Sequence, residues 1–100
     1  MTKIKKFIEH IDDEICGAKE YAEKSLEYKA MGNSDRYQKY RQMANDELNH
    51  AMIVHDIAVQ DIEQLRSVYP EIPAEMQEEW DKSHKRYVEK VAWIKQMLAM

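Results

Sequence analysis

The chain is poor in residues that interrupt helices or cross-link loops. Its 100 residues include only two glycines, two prolines and one cysteine. This scarcity excludes a loop-rich, disulfide-stabilised fold and favours an all-α chain. The single cysteine, Cys16, has no partner for an internal disulfide. A lone thiol fits a reducing compartment, so we expect a cytoplasmic protein.

Long apolar runs and an excess of basic charge are also absent. No apolar run approaches the roughly 20 residues that a membrane-spanning helix needs. The first ten residues lack the apolar segment of an export signal. Charged residues make up 34% of the chain, with both signs mixed and a net charge of −4. We therefore expect no membrane and no nucleic acid as a partner, and a single domain over residues 1–100.

Two short segments divide the chain into three helical stretches. Gly32 in Met31–Asp35 suits the left-handed position after a helix, and Asn33 or Ser34 can cap the next helix. In the second segment Pro70 ends a helix, and Pro73 suits the first turn of the following one. The predicted helices cover residues 2–31, 34–68 and 73–99. Their apolar residues recur at spacings of three and four, which is typical of helical bundles.

The short connections predict an antiparallel, up-down-up bundle of three long helices. Three helices of this length leave one side of the bundle thinly covered. Aromatic side chains offer apolar area there for another chain: Trp80, Trp93, Tyr28 and Tyr37. We therefore expect a homo-oligomer.

Acidic residues and histidines recur at helical spacing on all three helices. Glu47 and His50 form an E-x-x-H pair on the second helix, and Asp81 and His84 form a similar pair on the third. Residues three apart share a helix face, and Glu14 lies on the inner edge of the first helix. Inward carboxylates and histidines are how four-helix bundles hold two iron or manganese ions.

Counting from Gly32 tests whether these residues lie at one height. Glu14 lies eighteen positions before Gly32, whereas Glu47 and His50 lie fifteen and eighteen positions after it. Across a tight turn, this puts all three within about one turn of helix, or ~5 Å. A shared metal site is therefore predicted from these three residues.

The third helix fits that height less well. His50 lies twenty positions before Pro70, but Asp81 and His84 lie only eight and eleven positions after Pro73. A tight turn would leave this pair roughly 12–18 Å away along the bundle axis. At the level of His84 the expected neighbours are His10, His55 and Asp61. Either helix 3 slides to join the first site, or it serves a second site or a second chain.

Residues 13–58 resemble the first helix pair of the ferritin-like superfamily, in particular its rubrerythrin branch. The resemblance rests on Glu14 followed seven residues later by Tyr21, on Glu47-x-x-His50-Ala51, and more weakly on Asp81-x-x-His84, where Asp stands in place of Glu. The short chain is similar to small ferritin-like proteins of anaerobic bacteria and their phages. A fourth helix with a further bridging Glu, part of the family pattern, is missing here, so a second subunit would have to supply it.

The resemblance implies a di-iron or di-manganese carboxylate site with oxidase or ferroxidase chemistry. Glu14, Glu47, His50, Asp81 and His84 are then the candidate ligands, and iron, manganese or zinc suits such donors. Two alternatives stay open: a metal-free helical interaction module, such as a phage-type structural component acting through oligomerisation, and a structural zinc site that joins subunits. No catalytic residue is identified, and whether the protein is an enzyme stays open.

Overall fold

A computed structural model describes residues 2–68 and 72–100 of the chain. These residues form three α-helices and no strand: α1 (Thr2–Ala30), α2 (Ser34–Val68) and α3 (Ala74–Ala99). The all-α prediction is confirmed, and each described helix boundary lies within one residue of the predicted one. The molecule is a rod with principal extents of 55 × 19 × 17 Å.

The turn between α1 and α2 is defined by a positive backbone angle at Gly32. Its φ is +75°, a conformation that side chains with a Cβ rarely adopt. The N–H of Asn33 donates to the carbonyl of Tyr28 at 2.9 Å, and the N–H of Gly32 donates to the carbonyl of Lys29 at 3.1 Å. This pair of bonds is the Schellman motif that ends many helices. Of the two predicted caps, Asn33 accepts from the Arg36 N–H at 3.1 Å.

The second break is only partly described. The predicted helix end at Pro70 lies outside the described residues. Pro73 immediately precedes α3, which starts one residue after the predicted position, and the Pro73 carbonyl accepts from the N–H groups of Met76 and Gln77. The fixed φ of proline suits this entry to a helix.

Alanines let α1 and α2 approach closely. Five alanines on these two helices are completely buried: Ala18, Ala22, Ala44, Ala51 and Ala58. Larger side chains fill the space beside them, notably Ile11, Ile15 and Ile94. Trp80 is only 9% exposed and belongs to this core, so its prediction as surface for another chain is wrong. Trp93, at 54% exposure, does lie on the surface.

Side-chain contacts fix which heights of the helices meet. Between α1 and α2, Lys3 pairs with Asp61 at 2.9 Å, and the rings of Tyr28 and Tyr40 stack 5.4 Å apart. Lys29 donates to the carbonyl of Met100 just after α3. Within residues 2–68 and 72–100, no helix combines the length and apolarity that crossing a membrane requires.

Candidate metal centre

The structure brings together three of the five predicted ligands. One ligand atom from each of Glu14, Glu47 and His50 lies within 4.8 Å of the others. Glu14 comes from α1, while Glu47 and His50 come from the same face of α2. The meeting agrees with the heights counted from Gly32, because the rise per residue is the same in both helices.

The Glu14 carboxylate is the most enclosed member of the group. Its side chain is 20% exposed. Oε1 lies 3.3 Å from Nε2 of His10. Oε2 lies 3.7 Å from Nδ1 of His50, which is beyond hydrogen-bond reach. Among the described residues, this oxygen is the buried side-chain polar atom that lacks a hydrogen-bond partner. A buried charge without a partner is costly, so this oxygen favours a proton or a cation beside it.

Gly17 makes room for the Glu47 carboxylate. A Cβ added at Gly17 would lie 3.3 Å from Oε2 of Glu47 and 3.6 Å from its carboxyl carbon. The 3.3 Å contact is tighter than most that real Cβ atoms make. The missing side chain thus lets the Glu47 carboxylate lie directly against α1, one turn after Glu14. We did not identify Gly17 from the sequence; its signal is an unexplained glycine inside a long helix.

The two carboxyl groups influence each other's protonation. The pKa of Glu14 is lowered, first by its polar contact with the Glu47 carboxyl and further by His10 and His50, while burial opposes the change. The pKa of Glu47 is raised by that same contact, by burial and by the negative charge of Glu14. The two neighbouring carboxyl groups thus oppose each other's ionisation, and a bound cation would relieve that repulsion.

His50 leaves the centre open to solvent. Its side chain is 58% exposed, and that of His10, one turn before Glu14, is 55% exposed. Tyr21 lies further along α1, where its ring centroid is 6.1 Å from that of Tyr40. An ion could enter from the His50 side without any helix moving.

Asp81 and His84 do not join this group. Nδ1 of His84 lies 3.0 Å from Nε2 of His55, and Asp81 accepts a hydrogen bond from Gln77 at 2.9 Å. The height count from Pro73 anticipated His55 as a neighbour of His84. The other two expected neighbours pair elsewhere, His10 with Glu14 and Asp61 with Lys3.

The donor set suits an ion of intermediate hardness. Carboxylate and imidazole donors bind iron, manganese and zinc, while Cu(I) prefers sulfur. Three side chains fill about half of an octahedral shell, so an ion here would keep open positions. The orphaned Glu14 oxygen fits a cation in this position, and the missing side chain at Gly17 lets the Glu47 carboxylate lie beside it.

Comparison of the chain with protein families, with curated proteins and with solved structures found no significant match. The ferritin-like resemblance therefore depends on the residues that carry it, and the chemistry of the centre depends on its geometry.

Proposed function

We propose that this protein is a ferritin-like metal-binding protein. Its ligands are Glu14, Glu47 and His50, and its ion is iron or manganese, with zinc as a third option. One observation carries the proposal: two carboxylates and an imidazole offer ligand atoms within 4.8 Å of one another. The buried, unpartnered Oε2 of Glu14 adds support, because a protein rarely leaves such an atom without a function or a bound group.

The proposed fold is the antiparallel, up-down-up bundle of ferritin-like proteins. Lys3 contacts Asp61, and Glu14 contacts His50, so contacts between α1 and α2 run in opposite order. This order supports the antiparallel, up-down-up arrangement of a ferritin-like bundle. The cytoplasm, expected from the single cysteine, suits a site that binds reduced iron.

A second copy of the chain would complete the ligand set. An exposed apolar stripe on α2 supports this: Met43, Ile53 and Ile57 are 39%, 57% and 45% exposed. Met43, His50 and Ile57 are spaced by seven residues, so they share one face of the helix. A partner helix that packs on this stripe would approach the open side of the centre. The protein would then be a homo-oligomer in which each subunit donates ligands.

A pair of iron or manganese ions would supply one-electron redox steps with oxygen or peroxide. The chain's own contribution is to hold them. Glu14 and Glu47 would hold the ions and neutralise part of their charge. His50 adds a neutral nitrogen ligand on the open side. Oxidase or ferroxidase activity follows from the ferritin-like resemblance.

The test is the metal content of protein purified without a chelator. We expect at least one equivalent of iron, manganese or zinc per chain by elemental analysis, and the loss of one equivalent in Glu47→Ala and in His50→Ala. Asp13→Ala is the matched control, because Asp13 is an exposed carboxylate beside Glu14 that lies outside the centre. Metal content in this variant should equal that of the wild type. Oxygen consumption after anaerobic Fe(II) loading then tests the oxidase activity.

The exposed α2 stripe also favours a second candidate, a metal-free helical interaction module. A ligand that binds only the folded state must raise its stability. If the purified protein is metal-free and Fe(II) or Mn(II) leaves its melting temperature unchanged, the interaction module is supported and the metal centre is contradicted. A structural zinc site would instead give metal-dependent oligomer size and no oxygen consumption.

A further inference from the structure

Two histidines meet on the other side of α2. Nε2 of His55 and Nδ1 of His84 are 3.0 Å apart and join α2 to α3. His55 is only 8% exposed. Its ring stacks on that of Tyr87, with centroids 4.0 Å apart and an interplanar angle of 2°, and also faces Trp80 at 5.6 Å. These rings hold the His55 imidazole in one orientation, with Nε2 directed at His84.

We propose that His55 and His84 form a second metal site, for a divalent cation of the zinc class. Two nitrogens that each lie about 2.0–2.1 Å from one ion are ~3.0–3.4 Å apart at bond angles near 95–109°. The two histidines already have this separation. Imidazole nitrogen is a preferred ligand of zinc, cobalt, nickel and copper.

Two neutral imidazoles can exchange their present contact for a shared cation. The present contact needs one N–H, which one ring donates and the other accepts. A cation would take a lone pair from each facing nitrogen, and the donor ring would adopt its other neutral tautomer, with the N–H on its outer nitrogen and no net release of a proton. Each histidine would then be a neutral nitrogen ligand of the ion.

Water would fill the remaining coordination positions. His84 is exposed, so solvent reaches the site. Asp81 precedes His84 by one turn on α3, and its carboxylate accepts one hydrogen bond from Gln77.

The two sites are separate. His55 follows His50 by five residues, which is about 7.5 Å along α2 and about 140° around its axis. One ion cannot bind both His50 and His55. The second site joins α2 to α3, whereas the first joins α1 to α2.

The experiment isolates the second site by removing the first. The Glu47→Ala/His50→Ala double variant is titrated with Co(II), and the visible absorption of the cobalt reports nitrogen ligation. We expect one equivalent per chain. Adding His84→Ala to the double variant should weaken binding at least 10-fold, whereas His10→Ala, which removes another exposed histidine, should not change it. Zn(II) should raise the melting temperature of the double variant and lose this effect with His84→Ala.

The outcomes separate this site from the first centre. The proposal is overturned if the double variant binds no Co(II), or if it binds equally well with and without His84. Circular dichroism of the His84→Ala protein checks that the helices persist, and His55→Gln provides a second variant that keeps a polar side chain at the buried position. One equivalent of Co(II) in the double variant, even where iron and manganese are lost from it, supports the second site independently of the first.

Discussion

Replacing Gly17 by alanine should stabilise the metal-free protein and weaken its metal centre. Gly17 lies in the middle of α1, where alanine is favoured over glycine by about 1 kcal/mol. The added Cβ would lie 3.3 Å from Oε2 of Glu47. The Glu47 carboxylate is the end of a flexible side chain, and it must move by a few tenths of an ångström to make room for this Cβ. That movement costs less than the gain in helix stability, since the carboxyl group is partly exposed.

The net effect on unfolding is a gain of about 0.5–1 kcal/mol. For a chain of this size, that corresponds to a rise in melting temperature of about 2–8 °C. A displaced Glu47 no longer holds its oxygen at ligand distance, where a few tenths of an ångström matter. We expect Mn(II) affinity to fall about 3- to 10-fold. Thermal unfolding by circular dichroism and Mn(II) calorimetry measure the two effects on the same preparation.

The other glycine is a matched control. Gly32 has open space around its missing Cβ but a φ of +75°. Alanine there should cost about 1 kcal/mol because the left-handed conformation strains a residue with a Cβ, and Mn(II) affinity should not change. The same substitution should therefore have opposite effects on stability at the two glycines. A Gly17→Ala protein that is more stable and binds Mn(II) as tightly as the wild type would refute the role of Gly17 in positioning Glu47.

Three further substitutions test the carboxylate pair, the helix contact and the end of α3. The raised pKa of Glu47 means that its protonated form stabilises the folded protein below pH 4.5, and this stability is lost as the pH rises through the raised pKa. Glu47→Gln keeps a hydrogen-bond donor near Glu14, so it should remove that loss when urea unfolding is measured across pH. If the free energies of unfolding of the variant and the wild type depend on pH in the same way, the role of the Glu47 proton is contradicted. Ala51→Leu inserts a larger side chain at a completely buried position and should lower the free energy of unfolding in urea by about 1–3 kcal/mol. An unchanged free energy of unfolding would mean that α1 and α2 separate easily. Arg41 donates to the carbonyl of Leu98 from two nitrogens, at 3.2 and 2.9 Å. Arg41→Ala should therefore lower the free energy of unfolding by about 1 kcal/mol and increase amide hydrogen exchange in the last turn of α3. Unchanged exchange in that turn would contradict the role of Arg41.

Much of the fold could be predicted because helices are regular. Spacings of three and four gave the faces, and Gly32 gave the end of α1. The constant rise of a helix then allowed heights to be compared across the turn. That comparison predicted the meeting of Glu14 with Glu47 and His50. It also indicated that His84 lies nearer to His55 than to His50.

Other features depend on the rotation of one helix relative to another, which residue counts do not contain. Gly17 has a role only because its missing Cβ faces Glu47. Trp80 looked available for another chain, yet α3 is rotated so that its ring packs in the core beside His55. The pairing of His55 with His84 required both the height and the rotation of α3. The height of α3 along the bundle was predictable from residue counts, whereas its rotation about its own axis was not.

The two candidate sites differ in the charge they present to a cation. The first holds two carboxyl groups, and contact with Glu14, burial and the charge of Glu14 raise the pKa of Glu47. Below that pKa a cation must compete with the proton on Glu47, so its affinity should increase as the pH rises through the pKa of Glu47. The second holds two imidazoles, and the lowered pKa of His55 keeps that ring neutral. A cation there gains no charge neutralisation from the histidines, so it should bind less tightly than at the carboxylate pair once Glu47 is ionised. Metal added gradually above that pH should therefore fill the Glu14–Glu47–His50 centre first.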